Sequence, residues 1–226
     1  MRGATSGRAG GSPTDGGVLV VVGASWGGLH AVSTILRALP EDCMAPLVIV
    51  QHRSREADGL LTQLLQDLTA RTVCNVDDKQ AVRAGHVYVA PPDYHLLVEA
   101  ESADEGGAHF VLSTDAPVRY SRPSIDVTMV AAAEAYGPRA LAVVCTGAND
   151  DGARGARRVV DRGGAALVQD PATAEVRTMP DAAYRALATA PRTRWDVAPL
   201  DALGARIARG VRALLTPGGA LRGAAA

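Results

Sequence analysis

Residues 18–28, VLVVVGASWGG, restrict the fold more than any other stretch of the chain. Val18–Val22 is a run of branched apolar residues with no polar alternate, which predicts a strand covered on both faces, as in a parallel sheet. Gly23, Ser25 and Gly27 then spell G-x-S-x-G. In a nucleophile elbow this pattern sets a serine on a sharp strand-to-helix turn, with small neighbours that admit a substrate carbonyl. Leu29, Val32, Ile35, Leu36 and Leu39 follow at helical spacing, so Ser25 falls at or just before a helix N-terminus, where free N–H groups favour negative charge. Two plainer readings stand beside the nucleophile. Serine is among the best N-cap residues. G-x-S-x-x-G over 23–28 is also a degraded dinucleotide fingerprint, with serine where a second glycine should admit a pyrophosphate.

A chain of 226 residues is long enough for one well-buried α/β domain. Its formal net charge of −1 and single Phe offer neither the basic field nor the stacking platforms of a nucleic-acid binder. Cys43, Cys74 and Cys145 are far apart and form no C-x-x-C, which argues against a disulfide framework or a thiolate zinc site. No His/Asp/Glu spacing resembles a metal cage, and neither a metal nor a cofactor is expected. The N-terminus lacks a secretory apolar core, and no run reaches the ~18–20 apolar residues that cross a bilayer. The expectation is a soluble cytoplasmic protein with no membrane insertion.

Taken in order, Met1–Gly17 is rich in Gly, Ser, Thr and Arg and reads as a disordered leader. Pro46–Gln51 predicts a second strand, ending in His52; Leu60–Leu68 a short helix; Val73–Asp78 a third strand. Three β-type runs follow, Gly85–Ala90, Tyr94–Ala100 and His109–Ser113. No helix fits between them, so they predict an antiparallel hairpin or meander appended to the sheet. Ile125–Tyr136 reads as a helix, Ala140–Cys145 as a buried strand, Ala153–Asp161 as a helix and Ala165–Gln169 as a strand. Asp181–Ala190 and Leu200–Leu215 complete the helices, and 216–226 reads as a flexible tail. The predicted fold is α/β, a mainly parallel, doubly wound sheet flanked by helices with an antiparallel β-hairpin insertion, in one domain over 18–215.

In such sheets the ligand site lies outside the carboxyl ends of the strands. Ser25 follows the first strand, His52 the second, and Asp150 or Asp151 the strand Ala140–Cys145. A serine hydroxyl needs a neighbouring base, and the base needs an acid that fixes its tautomer. A histidine after a strand and an aspartate before a helix are each commoner as structural groups, the latter as an N-cap. Three triad-type residues at one edge of one sheet are the stronger argument. The remaining histidines, His30 among them, carry no such coincidence, and Arg122 and Arg177 read as solvated arginines that would at most guide an acidic substrate.

The chain also resembles the catalytic domain of chemotaxis protein-glutamate methylesterases, the CheB family, from about Val18 to Leu203. The likeness rests on GASWGG around Ser25, VQH ending in His52, VYVAPPDYHL at Val87–Leu96, RPSID at Arg122–Asp126, CTGANDDGARG at Cys145–Gly155, QDP ending at Pro171 and Met179-Pro180. The resemblance implies Ser25 as nucleophile, His52 as base and Asp151 as orienting acid, since the family's T-G-M-G-x-D-G places its aspartate directly before the glycine that is Gly152 here. It implies backbone N–H groups of Trp26 and Ala148 as oxyanion donors. The implied reaction is hydrolysis of glutamate γ-methyl esters, with deamidation of glutamine in many members. The implied partners are cytoplasmic helices of methylated chemoreceptors or a related methylated protein. A redirected or non-catalytic binding module of the same fold, docking a non-receptor partner, is the alternative. Three departures stand out: Ala148-Asn149 where the family has Met-Gly, Trp26 where a small Thr is usual, and a short leader where a receiver domain commonly precedes.

Overall fold

The structure, a computed structural model, describes residues 17–53, 60–101, 107–216 and 219–221. The leader expected over 1–17 lies outside these residues except for Gly17, and of the tail expected over 216–226 only Thr216 and residues 219–221 are described. Strands β1 (Leu19–Ala24), β2 (Leu47–Gln51), β3 (Thr72–Asn75), β4 (His86–Val89), β7 (Ala140–Val144), β8 (Ala165–Gln169) and β9 (Trp195–Ala198) form one sheet in the order β3-β4-β2-β1-β7-β8-β9. Every neighbouring pair in it is parallel. Strands β5 (His95–Ala100) and β6 (Ala108–Ser113) pair antiparallel as a separate hairpin.

Alternation along the central strands explains the two apolar layers. In β1, Leu19 and Val21 face one core and Val20 and Val22 the other, which Val18 joins just ahead of the strand; in β2, Val48 and Val50 join the first, Leu47 and Ile49 the second. The first layer is closed by α3 (Ile125–Tyr136), α4 (Ala153–Asp161), α5 (Thr178–Leu187) and the hairpin. The second is closed by α1 (Gly28–Ala38), α2 (Leu60–Gln66) and α6 (Leu203–Leu215). A strand with apolar side chains on both faces has no stable place except between two such layers. Among the described residues no helix is long and apolar enough to cross a membrane.

Two assignments change. The run Gly85–Ala90, expected in the antiparallel meander, supplies β4, which lies inside the parallel sheet between β3 and β2. Val87, Tyr88 and Val89 are fully buried, and a sheet interior is where such a run loses the most water. Only the next two runs make the hairpin. The connection between β3 and β4 runs beside it: Lys79 donates to the Phe110 carbonyl, Phe110 to that of Gln80, and Val82 to that of Ala108. The second change is β9, an edge strand the pattern reading passes over; its anchor Trp195 is buried and stands edge-on to Tyr184.

The order of strands places a switch point between β1 and β7. From β1 the chain moves outward through α1 to β2, whereas β7 arrives on the other side of β1 after a long excursion. Crevices open at the carboxyl ends of strands where winding reverses. The registers Ala24↔Gln51 and Gly23↔Val144 bring the ends of β1, β2 and β7 level.

The hairpin is fastened through Phe110, which is fully buried, its ring 4.7 Å from that of Tyr88 in an edge-on contact at 60°. Phe110→Ala should cost about 3–5 kcal/mol of stability, read as a lower midpoint in urea unfolding; a midpoint within error of the wild type would show that the hairpin is held by other means.

Candidate active site

Ser25 leaves the end of β1 with its main chain held on two sides. Its N–H donates to the Thr146 carbonyl at 3.0 Å, one residue beyond the end of β7's apolar run, and its own carbonyl accepts from the Gln51 side chain at 2.7 Å and from the Gly28 amide at 2.9 Å. The N-cap of α1 is Gly27, at φ 76°, not Ser25. The left-handed step that the turn requires therefore falls on the residue with no Cβ. Ser25 is absent from the positive-φ residues, so it sits in this turn without the backbone strain of a left-handed side chain. Its hydroxyl is left with no capping duty.

His52 follows β2, its N–H bound to the Ala24 carbonyl at 3.1 Å. Its imidazole lies between the other two candidates: Nδ1 is 3.2 Å from Ser25 Oγ and Nε2 is 2.9 Å from Asp151 Oδ2. The nitrogens are used in the opposite sense to the serine-protease template, where Nε2 faces the serine and Nδ1 the acid. Chemically the two senses are equivalent, provided that the N–H is directed at the carboxylate and the lone pair at the hydroxyl. The His52 side chain is 13% exposed and that of Asp151 is fully buried.

Asp150 and Asp151 are separated by geometry. Asp150 is exposed and forms an ion pair with Arg119. Asp151 Oδ2 accepts from the Ile125 amide at 2.7 Å, and Oδ1 from the Asp126 amide at 2.8 Å and from Ser124 Oγ at 3.0 Å. It thus caps the N-terminus of α3, a helix 25 residues earlier in sequence. The capping and the histidine-orienting roles coincide in one carboxylate.

Asp126 answers from the other side. Its Oδ1 accepts the amides of Gly152 at 3.0 Å and Gly155 at 2.7 Å, which open α4. Two helices therefore cap each other through exchanged carboxylates. Burial pushes both groups up, and the outcomes diverge. For Asp151 the His52 N–H and the two amides outweigh burial and hold the carboxyl below the ordinary value. For Asp126 desolvation prevails over the Gly155 amide, Asp151 adds a like charge, and its pKa is raised. Its Oδ2 has no hydrogen-bond partner among the described residues, and Arg154 Nε lies 3.5 Å away.

The mouth beside Ser25 is built by loops. Among the described residues the Trp26 and Ala148 amides have no main-chain acceptor. Gly147, which precedes Ala148, is packed so closely that a Cβ would strike the Met179 side chain and come within 2.9 Å of Ser25 Cβ. Only glycine allows the loop after β7 to lie against the serine. Trp26 is 67% exposed, and its indole N–H donates to Glu175 Oε1 at 2.9 Å. Thr146 Oγ1 donates to the Trp26 carbonyl at 2.9 Å. Asn149 is not at positive φ, and its side-chain oxygen accepts the Asp151 amide at 3.0 Å. On the His52 side a cleft of about 390 Å³ is lined by His52, Arg53, Asp93, Tyr120 and Arg122, among others.

Of the other side chains weighed from sequence, Arg122 holds the Thr114 and Asp115 carbonyls, and Arg177 pairs with Asp181 on the surface. His95 is buried between the Ala116 carbonyl and the Ser124 amide. His30 is exposed on α1. Burial pushes the Cys145 thiol up to about 12, which leaves it unreactive. Sequence reading did not single out Gln51, Asp126 or Glu175 for a role. Asp126 could have been found, as an acidic residue in the first turn of a helix that begins S-I-D.

The sequence profile of the CheB methylesterase family matches residues 20–207. The chain is 42% identical over 167 residues to a protein of Leptospira interrogans, an alignment covering 74% of this chain and 83% of that one. It is 39% identical over 212 residues to the protein-glutamate methylesterase/protein-glutamine glutaminase of Nocardioides sp., covering 92% of this chain and 56% of the relative's length. The crystal structure of the Thermotoga maritima CheB methylesterase catalytic domain matches with a TM-score of 0.78 at 32% identity, covering 85% of this chain and 97% of that one.

The exchanged carboxylates make a prediction with opposite signs. Asp151, depressed, contributes stability that is present above the ordinary carboxylate value and lost as pH falls through its folded value. Asp126, raised, contributes stability that is fully present below that value and lost as pH rises through its folded value. Asp126→Asn keeps an acceptor for Gly152 and Gly155 and removes the buried charge, so in urea it should be at least as stable as the wild type at neutral pH, the margin closing in acid. Asp126→Ala removes the acceptor and should cost about 1–3 kcal/mol. An Asn variant as damaged as the Ala variant would show that the charge, not the acceptor, holds α4.

Proposed function

The chain belongs to the CheB methylesterase family, and on that footing we propose that it is a serine hydrolase that cleaves γ-methyl esters of glutamate on the helices of methylated chemoreceptors in the cytoplasm. The observation that carries the reading is the hydrogen-bonded series Ser25 Oγ, His52, Asp151 at the switch point of the sheet. In this reading neutral His52 keeps its proton on Nε2, directed at Asp151, and its lone pair on Nδ1, directed at Ser25. Ser25 Oγ attacks the ester carbonyl as Nδ1 takes the hydroxyl proton. The tetrahedral oxyanion is met by the amides of Trp26 and Ala148, a type of contact worth about 3–4 kcal/mol per donor in serine hydrolases. The imidazolium, stabilised by Asp151, then passes its proton to the departing methoxide, and methanol leaves. Water repeats the sequence on the acyl-enzyme, with His52 as base, and frees the glutamate carboxylate.

Glutamine deamidation follows from the same steps with ammonia as the leaving group, and we include it in the proposal. Support for an ionised Asp151 throughout the working range comes from its depressed pKa. Asp150, exposed and paired with Arg119, has no part in this scheme.

The test is release of labelled methanol from membranes bearing methyl-labelled receptors. Ser25→Ala should abolish release without unfolding the chain, and His52→Gln should come close to it. Asp151→Asn should lower turnover by several orders of magnitude with a residue remaining from the oxyanion contacts, whereas Asp150→Asn should stay near the wild type. Undiminished release by Ser25→Ala would overturn the mechanism, and a larger loss in Asp150→Asn than in Asp151→Asn would overturn the assignment of the acid.

A further inference from the structure

Ser25 is tied to one neighbouring strand end by main chain and to the other by a side chain. The last main-chain bond from the end of β2 to β1 is that of the His52 N–H with the Ala24 carbonyl, at 3.1 Å. One residue on, the Ser25 amide turns the other way, to the Thr146 carbonyl beyond β7. Among the described residues no main-chain bond then joins Ser25 to the β2 side. Gln51, the last residue of β2 and only 9% exposed, takes that place. Its Nε2 donates to the Ser25 carbonyl at 2.7 Å and to the His52 carbonyl at 3.2 Å. One nitrogen thus binds the main chain of the candidate nucleophile and that of the candidate base.

The oxygen of the same amide is left over. Gln51 Oε1 is buried and has no hydrogen-bond partner among the described residues, an unfavourable state for a carbonyl and one that native structures seldom keep without a reason. Gln169, at the end of β8, shows the ordinary case. It is fully buried, its Oε1 accepts the Thr146 amide at 2.8 Å, and its Nε2 donates to the Thr173 carbonyl at 2.9 Å. An apolar side chain of the length of Gln51 would leave no oxygen orphaned. The surroundings favour the amide nonetheless: a Cβ on Gly28 would strike it, so the first residue of α1 leaves room for it. What distinguishes Gln51 from Gln169 is the pair of carbonyls that it holds.

We propose that Gln51 is a positioning residue for the transfer of the Ser25 proton to His52. This rests on the serine-hydrolase reading above. By binding both carbonyls to one nitrogen, the amide fixes the spacing of the two residues that carry Oγ and Nδ1. Their contact of 3.2 Å is already at the long end of the hydrogen-bond range. Slack between the ends of β1 and β2 lengthens it further and slows the attack, while the groups that meet the substrate stay as they are. Gln51 acts through Ser25 and His52 and touches neither the substrate nor the proton.

The experiment measures turnover of methyl-labelled receptor membranes and of p-nitrophenyl acetate, and the rate at which phenylmethylsulfonyl fluoride modifies Ser25, with Ser25→Ala as the blank. Gln51→Met keeps the length of the side chain and removes its donors; Gln51→Glu keeps the shape and removes them. Each should lower kcat about ten- to a hundredfold on both substrates with KM unchanged, and slow the sulfonylation by the same factor. In a His52→Gln background, where no imidazole receives the proton, Gln51→Met should cause no further loss on p-nitrophenyl acetate. Should the methionine variant fail to fold, the glutamate variant serves for the same comparisons. Wild-type kcat in Gln51→Met overturns the proposal, and so does a change confined to KM. An equal loss with and without His52 overturns it too, because the amide would then support Ser25 or the oxyanion donors alone. A wild type that neither releases methanol nor reacts at Ser25 removes the hydrolase reading and this proposal together.

Discussion

The exchange of carboxylates between the N-termini of α3 and α4 is the contact on which the site depends most. A helix start leaves N–H groups without partners, and here two helix starts, side by side in the core, are satisfied by aspartates from each other's segments. Each carboxylate is thereby immobilised by main chain and not by a flexible side chain. Asp151 then has one remaining direction of use, toward His52. The orientation of the imidazole is inherited from helix capping, with both ends of the arrangement fully buried.

The rest of the site inherits its positions from the sheet. Ser25 and His52 are extensions of β1 and β2, held by hydrogen bonds that continue the ladder one residue beyond the strands. Gly147 lets the loop after β7 close against the serine, and Thr146 and Gln51 fix the main chain around it. The reversed use of the imidazole nitrogens follows from this frame: the ring enters from the strand beside the serine, and the acid comes from the strand on the far side. Ser25 is not among the left-handed non-glycine residues, which among the described residues are Lys79, Asp93, Arg119 and Tyr120.

Much of this could be read in the chain itself because the decisive residues end strands. VLVVVGAS and PLVIVQH announce both the strand and the side chain that follows it. The bounds of α3, α4 and β8 were likewise legible from apolar periodicity, with Ser124 just ahead of α3 and Gly163-Gly164 just ahead of β8. The GHVYVA run was not, since a four-residue strand buried in a sheet and one in a hairpin have the same local pattern, and only its pairing with β2 distinguishes them. WDVA is too short to announce β9. Gln51 and Glu175 were opaque for a deeper reason: each acts on a group at least 26 residues away, and no local pattern encodes such a partner, whereas Asp126 at least carries the local mark of an acidic residue in the first turn of a helix. The choice between Asp150 and Asp151 was open on spacing alone and is physical in origin, one carboxylate facing solvent and Arg119, the other enclosed by amides.

The capping of α3 by Asp151 also bears on how the molecule is made. A chain leaving the ribosome N-terminus first exposes the first turn of α3 before β7 and the aspartate that completes it have been synthesised. During that interval the amides of Ile125 and Asp126 have water as their partner, and Asp126 has no α4 to receive. Ser25 and His52 are thus made long before their acid, and the imidazole acquires its fixed direction only once Asp151 has been synthesised.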